Sequence, residues 1–135
     1  MKHVLMLLKA AISVAIGRIV YALGGADILL QVILFAVVAD YISGVLKAFV
    51  KGELSSDVGF KGIAKKIAIF IVVALAVQVE KLLGTGLAIR EIVISFYIMN
   101  EGISILENLG EFIKIPYFLK RHLETLSKDN DRPTD

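Results

Sequence analysis

Three long apolar runs constrain this chain more than anything else in it. They extend from about Asp27 to Ala48, from about Gly62 to Leu83 and from about Ala88 to Gly110. A helix needs about 20 residues to cross the hydrocarbon core of a bilayer, where only helices and closed barrels satisfy their own backbone hydrogen bonds. Each run is therefore predicted to be a transmembrane helix. Composition points the same way, since 57% of the 135 residues are hydrophobic and the mean hydropathy is +0.79. A chain this short has too little interior to bury that much apolar surface as a soluble domain.

The connections set the order of the helices. Between the first two runs lies KAFVKGELSSDVGFKG, a polar, glycine-containing loop with Lys47, Lys51, Lys61, Lys65 and Lys66 in or beside it. Within it, Ser55, Ser56 and Asp57 are residue types that cap a new helix. The second and third runs are joined by LLGTGLA, where Gly84 and Gly86 permit a tight turn and an antiparallel hairpin. Lys and Arg flanking membrane spans are retained on the cytoplasmic side. Loop 47–66 and the basic tail 115–135, with Lys120, Arg121, Lys128 and Arg132, are accordingly expected in the cytoplasm; the GTG turn is flanked only by Lys81 and Arg90.

Residues 1–24 are harder to place. Their length suits a span, but Lys9 and Arg18 would lie well inside it, each at a cost of about 2–3 kcal/mol near mid-bilayer. Those two cations fall about 180° apart on a helix, so no single polar face collects both. Gly17 offers a point at which the helix would break in two. The segment is thus read as an amphipathic surface helix, with a fourth membrane helix as the alternative. A signal peptide fits poorly, because Lys9 interrupts the apolar region. At the other end, Pro116 is placed to start a short helix carrying Leu119, Leu123 and Leu126, followed by the polar SKDNDRPTD. The predicted fold is a single all-α integral membrane domain over 1–135, with three transmembrane helices, the N-terminal helix and a short cytoplasmic C-terminal helix.

The third run is not uniformly apolar. Arg90, Tyr97, Glu101, Ser104, Asn108 and Glu111 follow helical spacing, and Asn100 and Glu107 widen the same stripe to about 120°. In the first run Ala36, Asp40, Gly44 and Ala48 form an i, i+4 ridge with Ser43, Lys47 and Lys51 beside it. Small residues at this spacing let helices approach closely, and Asp40 would find a donor across such a contact; copies of the chain are expected to pair through this ridge, with Asp40, Ser43 and Gly44 at the interface. The second run is apolar all round from Ile67 to Val77 and suits lipid. Ionisable groups in membranes face inward or water. A bundle this small has little interior to hold six to eight of them, so the stripe is expected to meet other copies of the chain and line a pore; packing within the bundle is the alternative, and the two can follow one another, packing before assembly and lining after it.

Other chemistries find little support. No cysteine is present, and His3 and His122 have no neighbour at metal-ligand spacing, so neither metal nor cofactor is expected. Three glutamates on one helix, with no His, Ser or ligand set opposite, make no enzyme site. The glycines of GTG and GFKG match no phosphate-binding pattern. A cationic loop beside a span reports topology or anionic lipid and not nucleic acid.

The segments DYISGVLKAF (40–49), LSSDVGFKGIAKK (54–66), NEGISILENLG (100–110) and IPYFLKRHLETL (115–126) together resemble the phage lysis and toxin-secretion holins of holin family 4. The resemblance covers about three-quarters of the chain in order. It departs from the pattern before Ile115 and Pro116, where Phe112, Ile113 and Lys114 stand in place of an expected glycine. Matched positions are Asp40, Tyr41 and Gly44; Ser56, Lys61, Gly62 and Lys66; and Asn100, Glu101, Glu107 and Asn108. The resemblance implies a non-enzymatic protein that oligomerises in the inner membrane into lesions, through which a cytoplasmic endolysin or a large toxin leaves during host cell lysis. An antiholin would be a natural regulatory partner. Two other readings stay open: a small proton-coupled transporter, and a regulator that assembles without opening.

Overall fold

The computed structural model describes residues 1–84 and 86–130, so Thr85 of the GTG turn and residues 131–135 of the polar tail, including Arg132, lie outside the described residues. The side chains of Leu126 and Lys128 lie outside them as well. Five helices follow one another: α1 (Lys2–Ala22), α2 (Ile28–Lys51), α3 (Ser56–Leu83), α4 (Ile89–Leu109) and α5 (Tyr117–Asn130). The first four are long and apolar enough to cross a membrane. Even the shortest, at 21 residues, reaches about 31 Å at 1.5 Å per residue.

Local chemistry explains the boundaries. The Asp27 carboxylate accepts the Leu30 amide at 2.9 Å and starts α2, and the Ser55 hydroxyl accepts the Val58 amide at 3.2 Å and starts α3. Each satisfies an amide that the first turn leaves unpaired. Two expectations are corrected here. Gly17 does not break α1, which is continuous from Lys2 to Ala22. The basic stretch 47–66 is not a loop: α2 continues to Lys51 and α3 begins at Ser56. The capping Ser55 and αL Gly52 confine the connection to a few residues, which places Lys61, Lys65 and Lys66 on α3.

The fourth span organises the body. α4 packs along α2 and α3 on one side and meets α5 on another. Ile33, Val73 and Ile94, one from each of the three spans, are fully buried where these helices meet. Leu23, Leu30, Val37 and Ile69 complete that apolar centre. α3 is therefore not a purely lipid-facing helix, because Ile69, Val73, Ala76 and Val77 turn inward. Others, including Ile67, Ile71 and Leu75, are exposed, as lipid contact requires, while Phe70 and Ala74 pack half-buried against the core. α5 folds back against α4 so that Leu123 closes over Gly102, where a Cβ would lie 3.5 Å from Leu123 Cδ1. α1 stands apart: every residue from Lys2 to Ile19 is exposed.

Candidate functional site

The polar stripe of α4 meets partners at three levels along the helix. At the end where α1 joins α2 and α3 joins α4, Arg90 is buried. Its guanidinium donates to the Asp27 carboxylate at 2.7 and 3.0 Å and to the Leu23 carbonyl at 2.6 Å. The Arg90 amide donates to Glu80 Oε2 of α3 at 3.0 Å. One arginine thus pins the α1–α2 turn to the start of α4 and the end of α3. The turn itself needs Gly24, at φ 88°, because a Cβ there would lie 2.4 Å from Arg90 Nε. The Arg90 guanidinium beside it, helped by the Leu30 amide, holds the Asp27 carboxyl well below its ordinary value, at about 2.

Deeper in the body, Lys66 of α3 lies between Asp40 of α2 and Glu101 of α4 and donates to both carboxylates. All three residues are buried. The cluster continues through Asn108, whose amide donates to Asp40 Oδ1 at 3.2 Å and to Ser43 Oγ at 3.1 Å. The Ser43 hydroxyl in turn donates to the Asp40 carbonyl at 2.9 Å. Two carboxylates sharing one ammonium, with amide and hydroxyl donors at the rim, form a network in which each polar group has a partner. Low-dielectric surroundings strengthen every bond in such a network and make any missing one costly.

At the far end of α4, Glu111 accepts Lys51 at 3.2 Å and lies 3.5 Å from Lys47, both on α2. These lysines, Lys51 first, hold its carboxyl below the usual carboxylate range. Pairing at an exposed site of this kind adds little stability.

The structure thus brings Asp40, Ser43, Glu101 and Asn108 together, and sets Gly44 beneath the Asn108 amide, 3.6 Å from where a Cβ would stand. The ridge Ala36, Asp40, Gly44 and Ala48 is spent within the chain: Ala36, Asp40 and Ala48 are buried, and Asn108 of α4 covers Asp40 and Gly44. Tyr97, Asn100 and Ser104 instead line a groove of 270 Å3 between α3 and α4, together with Lys65. Glu107 is exposed. Of the lysines read as topology signals, Lys61 pairs with Asp57 at 2.7 Å on the exposed start of α3, while Lys66 belongs to the buried network. Its position one turn inside the predicted span 62–83 was the available signal. Asp27 and Glu80 were missed as partners of Arg90, because nothing in the sequence ties the ends of three helices together.

The bacteriophage holin family model matches residues 17–128. An uncharacterized protein of Listeria monocytogenes is 54% identical over 101 residues, covering 74% of this chain and 72% of its own length. An uncharacterized protein of Clostridium perfringens is 40% identical over 110 residues, 80% of this chain and 82% of that one. A protein of Bacillus phage phi105 carrying the name probable holin is 34% identical over 107 residues, 78% of this chain and 79% of that one. No solved structure matches.

Proposed function

The chain belongs to the bacteriophage holin family, and from that premise we propose that it accumulates in the bacterial cytoplasmic membrane and oligomerises into lesions. Through these a cytoplasmic endolysin, or a large toxin, leaves the cell without a signal peptide. The observation that carries the reading is the stripe on α4, whose Arg90, Glu101 and Glu111 are answered inside one chain by Asp27, Lys66, Lys47 and Lys51, with Glu107 left exposed. A separate copy keeps most of the stripe's charge paired, which suits harmless residence in lipid. All four long helices cross, and the end carrying Lys47, Lys51, Lys61, Lys65, Lys114 and Lys120 faces the cytoplasm together with both termini.

Above a threshold density, contacts between copies compete with contacts within them. The α4 stripe, with Tyr97, Asn100, Glu101, Ser104 and Asn108, then turns toward a water-filled lumen that hydrates it. The chain acts by assembly and not by catalysis. The test is induction in bacteria that hold a cytoplasmic endolysin. A holin gives abrupt membrane depolarisation and release of the enzyme, a transporter gives neither, and an antiholin delays the event caused by another holin. Replacing Glu101 and Glu107 with Leu should preserve insertion and abolish release. Unchanged release from that variant would remove the stripe from the mechanism.

A further inference from the structure

Most of one long helix, from Lys2 to Ile19, lies exposed. α1 meets the body only through its last turn, where Ile19, Val20 and Leu23 border a cleft formed with residues of α2 and α3. Lys9, near the middle of α1, is exposed and makes no ion pair with any described residue. A lone ammonium at that depth costs about 2–3 kcal/mol. Arg18 lies only five residues before Leu23, about 8 Å from the helix end, so it reaches the headgroups by snorkelling. Lys9 is thus the cation that needs a partner.

A matching anion lies in a groove that no residue of α1 lines. Glu107 of α4 is exposed in a groove of 880 Å3 that also carries Lys47, Glu111, Lys114 and Lys120. None of these lysines comes within ion-pair distance of Glu107, for Lys47 turns to Glu111 and Lys120 to Glu124. No residue of α1 lines this groove, and no residue of α4 lines the cleft beside α1, so Lys9 and Glu107 do not meet within one copy. Depth is set by Arg90, which ties the end of α1 to the start of α4. Counted from that level, Lys9 lies about 21 Å along α1 and Glu107 about 26 Å along α4. The two helices run antiparallel, and a lysine stem spans the difference.

We infer that α1 of one copy packs along α4 of the next, with Lys9 set against the exposed Glu107, joining copies head to tail. Ser13 and Gly17 continue the Lys9 face of α1 at i, i+4 spacing, and nothing lies within 4 Å of where a Gly17 Cβ would stand. A second helix can therefore approach closely there. Because the two surfaces differ, the contact is heterologous: it does not stop at a dimer and grows into arcs or rings. The inference rests on the assembly reading above and names its interface.

The chain has no cysteine, which makes the contact directly testable in bacterial membranes. With Lys9→Cys and Glu107→Cys in the same full-length chain, a short bismaleimide should give a ladder extending past the dimer, and either substitution alone should not. In the cysteine-free chain, formaldehyde should trap trimers and larger species. Lys9→Glu or Glu107→Lys should reduce these at least about tenfold, and the combined swap should restore them. A doubly substituted chain that yields no ladder, or a swap that restores nothing, overturns the interface. If depolarisation and endolysin release persist in the wild type while the ladder is absent, only the interface falls. A ladder without release keeps the interface and removes the lytic reading.

Discussion

Replacing Lys66 with Met removes one ammonium from between two carboxylates while keeping most of the side-chain volume. Asp40 and Glu101 have side chains only 11% and 5% exposed, so little solvent is available to take over. Asp40 keeps the Asn108 amide at 3.2 Å, whereas Glu101 loses the Lys66 ammonium that donates to it. Breaking a buried pair by removing one partner costs about 3–5 kcal/mol. At 1.4 kcal/mol per tenfold, the closed packing of α2, α3 and α4 should be disfavoured by roughly two to three and a half orders of magnitude. In detergent micelles, Lys66→Met should melt well below the wild type, and in cells it should insert but depolarise the membrane earlier after induction. Removing the charges together should recover the melt, because a whole buried ion network can be exchanged for apolar groups at little cost. The triple variant Asp40→Asn, Lys66→Met, Glu101→Leu is therefore expected near wild-type stability. A Lys66→Met protein with the wild-type melt and trigger time, or a triple variant as unstable as Lys66→Met, would refute the argument that carboxylates buried without their ammonium drive the closed packing apart.

Other consequences are read at the two ends of the bundle. Gly24→Ala should lose about 2–4 kcal/mol, since the backbone sits at φ 88° and the new Cβ would lie 2.4 Å from Arg90 Nε; Gly25→Ala, with open space around it, should melt higher than Gly24→Ala. The Asp27 carboxyl, held at about 2 against an ordinary 3.8, stabilises the fold fully above its ordinary value and progressively less as pH falls toward 2. The micelle melt should therefore drop in that window, and Asp27→Asn should flatten the drop; identical acid profiles for both proteins would contradict the clamp. Gly102→Ala should be tolerated, with its Cβ at ordinary contact from Leu123, whereas Gly102→Phe should lift α5 from α4. Faster tryptic cleavage after Arg121 in the Phe variant reads that displacement.

What the sequence revealed and what it concealed follow from the range of the forces involved. Hydropathy over 20 residues is a local sum, so the long helices and their order were legible, and so was the α4 stripe, which needs only the angle of 100° per residue. Lys66 was misplaced because the same local sum takes a lysine near a helix end for a topology signal. Its burial depends on Asp40 and Glu101, 26 and 35 residues away along the chain. Arg90 was seen as the head of the stripe, but its partners Asp27 and Leu23 are more than 60 residues distant. The small-residue ridge around Asp40 was recognised as a close-contact surface. Its partner proved to be α4 of the same chain, since helix-packing motifs give shape and not address.

The contrast between lipid and water gives the buried charges a purpose that apolar packing lacks. In a bilayer, apolar side chains gain no hydrophobic drive by leaving lipid for one another, so Ile33, Val73 and Ile94 hold α2, α3 and α4 together only by fit. The network of Asp40, Lys66, Glu101 and Asn108 adds a penalty for separation that exists only while the surroundings are dry. Once water reaches these groups the penalty disappears, because hydration replaces each lost partner. On the proposed reading, the first water-filled gap between assembled copies therefore removes the reason its neighbours stay closed. Such a dependence makes opening collective, as a sudden lytic event requires, while a copy surrounded by lipid remains shut.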